Sequence, residues 1–209
     1  MTSAQPGTRG FLNAKVIAQE ARAIAETEGL DAVSMRALAD RLQCTPRALY
    51  RHVADKHALL EMLADGAFAE LPEPQVEATW QDAYMEYFTA MRKLLVSTPA
   101  VAMIIAQQAV AGENFRRHMD RLVGVMTSAG FDGELAVEAV VALSYYTLGA
   151  SLPGTGQVLH DTYDVRQDDV SDEELPVLKD LMSGFAQDSA EQQFRNALQH
   201  LIRGYSVDA

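Results

Sequence analysis

The stretch from Ser34 to Lys56, SMRALADRLQCTPRALYRHVADK, holds two helical patterns too short to stand alone and a break between them. Met35, Leu38, Ala39 and Leu42 recur at i, i+3, i+4 and i+7, a spacing that lines one face of a helix with apolar side chains. Ser34 is suited to cap it. The pattern breaks at Gln43-Cys44-Thr45-Pro46, where Thr45 can cap a second helix and Pro46 falls at its first position, where a missing N–H loses no bond. This second helix is expected to run to about Arg51. Ala48 and Leu49 are its only small and apolar anchors, so it must dock on its neighbours. Arg47, Tyr50 and Arg51 point elsewhere, and Asp55-Lys56 opens a further helix, whose N-terminal N–H groups attract phosphate. The pattern reads as a helix-turn-helix that enters a DNA groove. An ordinary helical hairpin with a solvated basic face is the plainer alternative.

Charge favours DNA. Residues 1–57 carry eight Lys and Arg against six Asp and Glu, while the remaining residues carry nine against twenty-three, within a net charge of −12. An isoelectric point near 4.7 would argue against nucleic acid for the chain as a whole. Phosphate attraction is local, however, fading over a Debye length of about 8 Å at physiological salt. The acidic remainder is expected to face elsewhere.

Residues 1–12 read as a flexible tail. Asn13 to Glu28 is a helix with Val16, Ile17, Ala21, Ile24 and Ala25 on one side, ended by Gly29. The helix begun at Asp55 continues through Leu59, Leu60, Leu63, Ala67 and Phe68 and stops at Leu71-Pro72-Glu73-Pro74, a natural boundary. Taken together, GLDAVSMRALADRLQCTPRALYRHVADKHALLEML closely resembles the N-terminal domain of the tetracycline-repressor (TetR) family of transcriptional regulators. The closing pattern of that motif is carried by Leu49, Tyr50, His52, Val53 and Lys56. Trp80-Gln81-Asp82 and Tyr146-Thr147-Leu148-Gly149 extend the likeness into the ligand-binding domain of the tetracycline-repressor subgroup. Gln43 departs from it, standing where many relatives place Gly. A side chain there is unfavourable only if the backbone has positive φ.

The resemblance implies roles by position. Arg36 matches a position that reaches a base edge, and Pro46 and Arg47 match recognition-helix positions that meet bases, with Thr45 counted beside them as DNA-binding. Arginine is the commonest reader of guanine. Tyr50, His52 and Lys56 match phosphate-contacting positions. His52 has a second reading, as an interface histidine holding the next helix. Arg41 and Arg51 read as solvated charges or peripheral phosphate contacts, and Cys44, the sole cysteine, as a small buried hydrophobe rather than a redox sensor, since it has no resolving partner.

Residues 71–209 are expected to form a larger helical ligand-binding and dimerisation domain, giving an all-α protein with no strand alternation. Thr79 and Asp82 resemble a capping box before a helix to about Ser97, whose apolar face holds Trp80, Tyr84, Tyr87, Phe88, Met91 and Leu95. Further helical patterns span 99–111, 113–129 and 133–152. The last is apolar almost all round, through Leu135, Val137, Val140, Val141, Leu143, Tyr145, Tyr146 and Leu148, and needs cover on more than one face. The closing helix, Ser189 to about Tyr205, offers a stripe of Phe194, Ala197, Leu198, Leu201, Ile202 and Tyr205. By resemblance these two helices build a four-helix bundle with their symmetry mates, and a homodimer places two recognition helices on a pseudo-palindromic operator.

A ligand cavity is expected among Tyr84, Tyr87, Phe88, Met91, Gln107, Gln108, Met126, Tyr145 and Tyr146, which mix apolar area with a few polar groups. The alternative is that most are packed core. The drug and magnesium positions implied by the subgroup carry Pro72, Tyr87, Tyr145 and Pro153, and 98–111 holds no histidine, so magnesium-bound tetracycline is not the expected ligand. A mostly apolar organic molecule is. The stretch 153–174, with two glycines and many acids, reads as a mobile polar connection.

No secretory signal, no apolar run of membrane-spanning length and one cysteine point to the cytoplasm, with no membrane partner. His52, His57, His118, His160 and His200 are scattered, and no HExxH, Gly-x-Ser-x-Gly or Glu-x-x-His pair occurs; no enzyme, cofactor or metal site is expected. The expected function is a repressor released from its operator by a small effector. A ligand-dependent activator, or a helical protein-interaction adaptor, remains the alternative; an adaptor has no need of Arg36, Arg47, Tyr50 and Lys56.

Overall fold

The computed structural model describes residues 12–75, 79–155 and 189–205, and every regular element among them is helical. The tail expected over 1–12 and the connection expected over 153–174 lie outside them, apart from Leu12 and residues 153–155.

Local chemistry fixes the helix starts. The Asn13 side chain accepts from the Val16 N–H at 3.0 Å and opens α1 (Ala14–Glu28), which buries Ile17, Ala21, Ile24 and Ala25. Ser34 Oγ accepts from the Ala37 N–H at 3.1 Å before α2 (Met35–Arg41), and Thr45 Oγ1 from the Ala48 N–H at 3.3 Å before α3 (Pro46–Leu49). Asp55 Oδ1 does the same for α4 (Lys56–Phe68), accepting from Ala58 at 2.8 Å. Each satisfies an N–H that a helix start leaves without an internal partner. The second short helix ends two residues sooner than its pattern implied. Tyr50 to His52 continue it as hydrogen-bonded turns rather than helix, with the His52 N–H on the Leu49 carbonyl at 2.8 Å.

Gln43 does adopt positive φ, 51°. There the Cys44 N–H reaches the Ala39 carbonyl at 3.0 Å and the Gln43 N–H reaches Asp40 at 3.3 Å, the paired bonds of a Schellman motif. The end of the helix Glu113–Ser128 repeats this geometry with a glycine, Gly130 at φ 95°, in the same place.

The remaining described helices are α5 (Trp80–Ser97), α6 (Pro99–Gln107), α7 (Glu113–Ser128), α8 (Gly133–Ser151) and α9 (Ala190–Arg203). Thr79 caps α5 through the Asp82 N–H at 3.2 Å. Its hydroxyl also donates to Asp82 Oδ2 at 2.6 Å, a use of the acid other than the return bond of a capping box. Pro99 at the start of α6 turns the chain 105° from α5. α5 packs against α8, α9 and α7, while α4 packs against α1, α6 and α7, so α4 joins the N-terminal helices to the larger helical core. No single helix among the described residues is long and apolar enough to cross a membrane.

α8 is covered on one side only. Ala136, Ala139, Val140, Leu143, Thr147 and Ser151 are buried, whereas Val137, Val141 and Tyr145, at i, i+4 and i+8, are 49%, 41% and 72% exposed. Leu201 of α9 is also exposed, while Phe194, Leu198 and Ile202 of that helix are buried.

Candidate nucleic-acid interface and effector core

Leu49 is fully buried and, with Val53, Leu38 and Ala39, roots the short α3 in the core. Rooting one residue turns the rest of the helix outward. Thr45, Pro46, Arg47 and Tyr50 are exposed, as are Arg36 in the first turn of α2, His52 in the turn after α3, and Lys56 at the start of α4. Tyr50 keeps 53% of its surface in water, a large exposed aromatic that core packing does not explain. His52 is exposed rather than sandwiched between helices. Arg41 pairs with Glu20 of α1 at 3.4 Å, and Cys44 is half-buried against the core. Guanidinium forks, a phenol and an ammonium offered together by rigid, capped elements can bond base edges and phosphate oxygens.

The predicted ligand residues separate into two groups. Tyr84, Tyr87, Phe88, Met91 and Met126 come together and are buried. Tyr87 meets Phe88 edge-to-face at 5.3 Å, and Tyr84 meets Phe88 at 5.7 Å and Trp80 at 5.7 Å. The others do not join them. Tyr145 faces outward on α8, because the helix turns its Ala139, Leu143 and Thr147 side inward instead. Gln107 is exposed at the C-terminus of α6, and Gln108 bends toward α4, its Nε2 donating to the His57 carbonyl at 3.2 Å. Tyr146 stacks on Phe194 at 5.2 Å and donates to the Phe194 carbonyl at 3.3 Å, holding α8 to α9.

A further residue enters the buried group, one whose spacing from Phe115 and Leu122 fits the inward face of α7 but whose polar type hid it. His118 of α7 is 1% exposed, its ring 5.5 Å from that of Tyr87 and 6.5 Å from that of Phe68. Its ring nitrogens make no well-aligned hydrogen bond, although the Phe68 backbone lies near enough to favour the protonated ring, and the Tyr87 hydroxyl has no partner. Tyr84 provides the contrast, since its equally buried hydroxyl donates to the Leu122 carbonyl at 3.0 Å. Burial lowers the His118 pKa below the ordinary histidine value and the Arg117 guanidinium adds to this, while Glu73 and the Phe68 backbone pull weakly the other way. The ring is therefore neutral at pH 7. Burial pushes the Tyr84 and Tyr87 phenols well above the usual tyrosine range, so both keep their protons.

Polar contacts tie this core to α4. Glu61 accepts from the Ala111 N–H at 3.0 Å, and Asp65 accepts from the Phe115 and Asn114 N–H groups at 2.8 and 3.3 Å and from Asn114 Nδ2 at 3.0 Å. Asp65 thus caps α7 from another helix. Gly112 leaves it room, since a Cβ there would overlap the carboxylate. Beyond α4, Glu73 pairs with Arg121 at 2.8 Å and lies 3.2 Å from Arg117 Nε, off hydrogen-bond alignment. Arg22 of α1 bonds Glu26 at 2.7 Å and also Glu70, just past the end of α4.

Comparison with known proteins agrees with this layout. The family described as bacterial regulatory proteins, tetR family, matches residues 17–63, and the tetracyclin repressor-like C-terminal domain matches residues 72–208. The chain is 30% identical over 148 residues to an HTH-type transcriptional regulator of Saccharopolyspora erythraea, covering 70% of this chain but only 62% of that protein, less than two thirds of its length. It is 28% identical over 200 residues to the class D tetracycline repressor protein of Escherichia coli, covering 94% of this chain and 90% of that one. Among solved structures, the TetR family protein ActR of Streptomyces coelicolor in complex with (S)-DNPA superposes with a TM-score of 0.82 at 26% identity, over 93% of this chain and 97% of that one. Its complex with actinorhodin gives 0.80 at 27% identity over the same shares. Proteins of this kind are DNA-binding transcription factors that bind operators and small-molecule ligands. The chain belongs to the TetR family of bacterial transcriptional regulators.

Proposed function

We propose that the protein is a homodimeric repressor that leaves a palindromic operator when a small, mostly apolar organic molecule enters the core between α5 and α7. The observation that carries this reading is the exposed set Arg36, Arg47, Tyr50, His52 and Lys56, displayed by helices whose own caps and anchors are already satisfied. Thr45 and Pro46 stand beside them as the capping turn that presents Arg47. The uncovered stripe of Val137, Val141 and Tyr145, with Leu201 nearby, supports a second subunit as its cover.

Release follows from the same connections. A ligand among Tyr84, Tyr87, Phe88, Met91 and Met126 presses on α7, and α7 is capped by Asp65 of α4, whose other end carries Lys56 to the DNA. The ligand must favour the displaced state by a differential affinity, about 1–3 kcal/mol in typical coupled systems. Complexes of ActR with actinorhodin and (S)-DNPA support an organic effector. Tetracycline is not carried over from the repressors named for it, because the positions implied for drug and magnesium hold Pro72, Tyr87, Tyr145 and Pro153.

Fluorescence anisotropy with labelled DNA from the gene's own flank tests the reading. Wild type should bind it specifically, with affinity falling steeply as salt rises. Arg47→Ala should relax sequence preference, losing roughly tenfold or more on the specific site, whereas Lys56→Ala should weaken all sites alike. Wild-type-like binding by both variants would refute the assignment.

A further inference from the structure

α1 and α4 pack against each other and leave a groove of about 580 Å³ beside their contact. Small side chains dominate its lining, Ala14 and Ala18 on α1 and Gly66 and Ala69 on α4, with Met62 and the buried Leu63 beside them. Tyr84, Tyr87, Phe88, Met91 and Met126 of the core take no part in it. Gly66 lies in the interior of α4, where glycine costs about 1 kcal/mol relative to alanine. No close packing requires it. A Cβ there would meet nothing within 4 Å, whereas a Cβ on Gly112 would overlap Asp65. The space is of ligand size, and none of the described chain fills it. We propose that this groove binds a small organic anion, a hydrocarbon body carrying one carboxylate, on the DNA-reading half of the chain and apart from the core between α5 and α7.

Charge and hydrogen bonding select the occupant. Of the charged side chains around the groove, Arg22 bonds Glu26 and Glu70, and Asp65 accepts from the Phe115 and Asn114 N–H groups. Asn114 bonds Asp65 and Arg117 through its side-chain amide. That leaves Lys15 and Gln19, neither of which has a partner among the described residues. They stand at i and i+4, neighbours on one face of α1. An ammonium and a primary amide side by side supply N–H donors for both oxygens of one carboxylate. A cation would meet only carboxylates that are already paired. The methyl, methylene and thioether groups that make up the rest of the lining require an apolar body. Ala14, Ala18 and Arg22 follow at i, i+4 and i+8, about 12 Å of helix, a length that suits two fused rings.

Isothermal titration calorimetry of the full chain with 2-naphthoate and its uncharged isostere 2-naphthamide tests the site. At low salt the wild type should prefer the naphthoate by roughly threefold to fivefold, and the preference should shrink as salt rises. Lys15→Gln should bring naphthoate affinity down to about that of naphthamide and leave naphthamide unchanged. Gly66→Leu fills the groove and improves helix propensity, so it should weaken both probes by roughly tenfold or more while melting no lower than wild type. If Gly66→Leu does melt lower, Lys15→Gln decides the matter, since its exposed position leaves the packing intact. Equal binding of the two probes by wild type overturns the proposal. So does naphthoate binding untouched in a folded Gly66→Leu, which would put the probe in the core, or in Lys15→Gln. Failure of the wild type to bind naphthoate below about 1 mM also overturns it, leaving the groove to a segment of protein chain. Binding of the wild type to its flanking DNA is measured separately, so none of these results bears on the repressor reading.

Discussion

At the scale of single residues, the caps were legible because they act within three positions of themselves. Ser34, Thr45 and Thr79 all bond the N–H that their spacing indicates, and Asn13 and Asp55, read only as helix starts, cap in the same way. His118 was not legible. It follows Arg116 and Arg117 and reads as part of a polar run by residue type, although its spacing from Phe115 and Leu122 puts it on the face that α4 and α5 bury. Gln43 marks the opposite case, a conditional expectation that the backbone settles, since φ is 51° where Gly130 holds the equivalent place at the end of α7. A left-handed residue other than glycine costs about 1–2 kcal/mol, part of which glycine returns as lost chain entropy. Gln43→Gly should therefore raise stability by up to about 1 kcal/mol in chemical denaturation, with the midpoint moving and the slope unchanged. A β-branched residue at the same place should lower it. If Gln43→Gly is clearly destabilising, the side chain has a role that the backbone geometry does not reveal.

At the scale of elements, α4 is the connection that matters. Its acceptors, the His57 carbonyl and the Glu61 and Asp65 carboxylates, fall at i, i+4 and i+8 and engage residues 108–115 along one face. Sequence periodicity predicted α4 as an apolar helix and could not assign this polar edge, because its partners are about fifty positions away. The same limit explains the outward Tyr145 and the diverted Gln108, since a helical pattern lists faces without saying which neighbour each will meet. Asp65→Ala should remove the cap on α7 and cost about 1 kcal/mol, a drop of roughly 2–4 °C in melting temperature for a chain of this size. Gly112→Ala should act in the same direction by crowding Asp65. Unaltered melting in both variants would mean that α7 does not depend on this cap.

At the scale of the whole molecule, the chain separates its charges and its apolar surfaces by task. The acidic excess lies in the sequence after residue 57, and among the described residues an uncovered apolar stripe lies on α8, the helix whose all-round apolar pattern already required more than one cover. One cover is α5 within the same chain, and the account assigns the other to a second copy. Two copies related by a two-fold axis present two α3 helices, so their target must repeat with the same symmetry. Protection of the gene's flanking DNA from nuclease cleavage tests this most directly. The account predicts one protected stretch containing two inverted half-sites centred about a whole number of helical turns apart, roughly 10 base pairs each, lost together in Arg47→Ala. Protection of a single unrepeated half-site, or no sequence-specific protection at low salt, would contradict it.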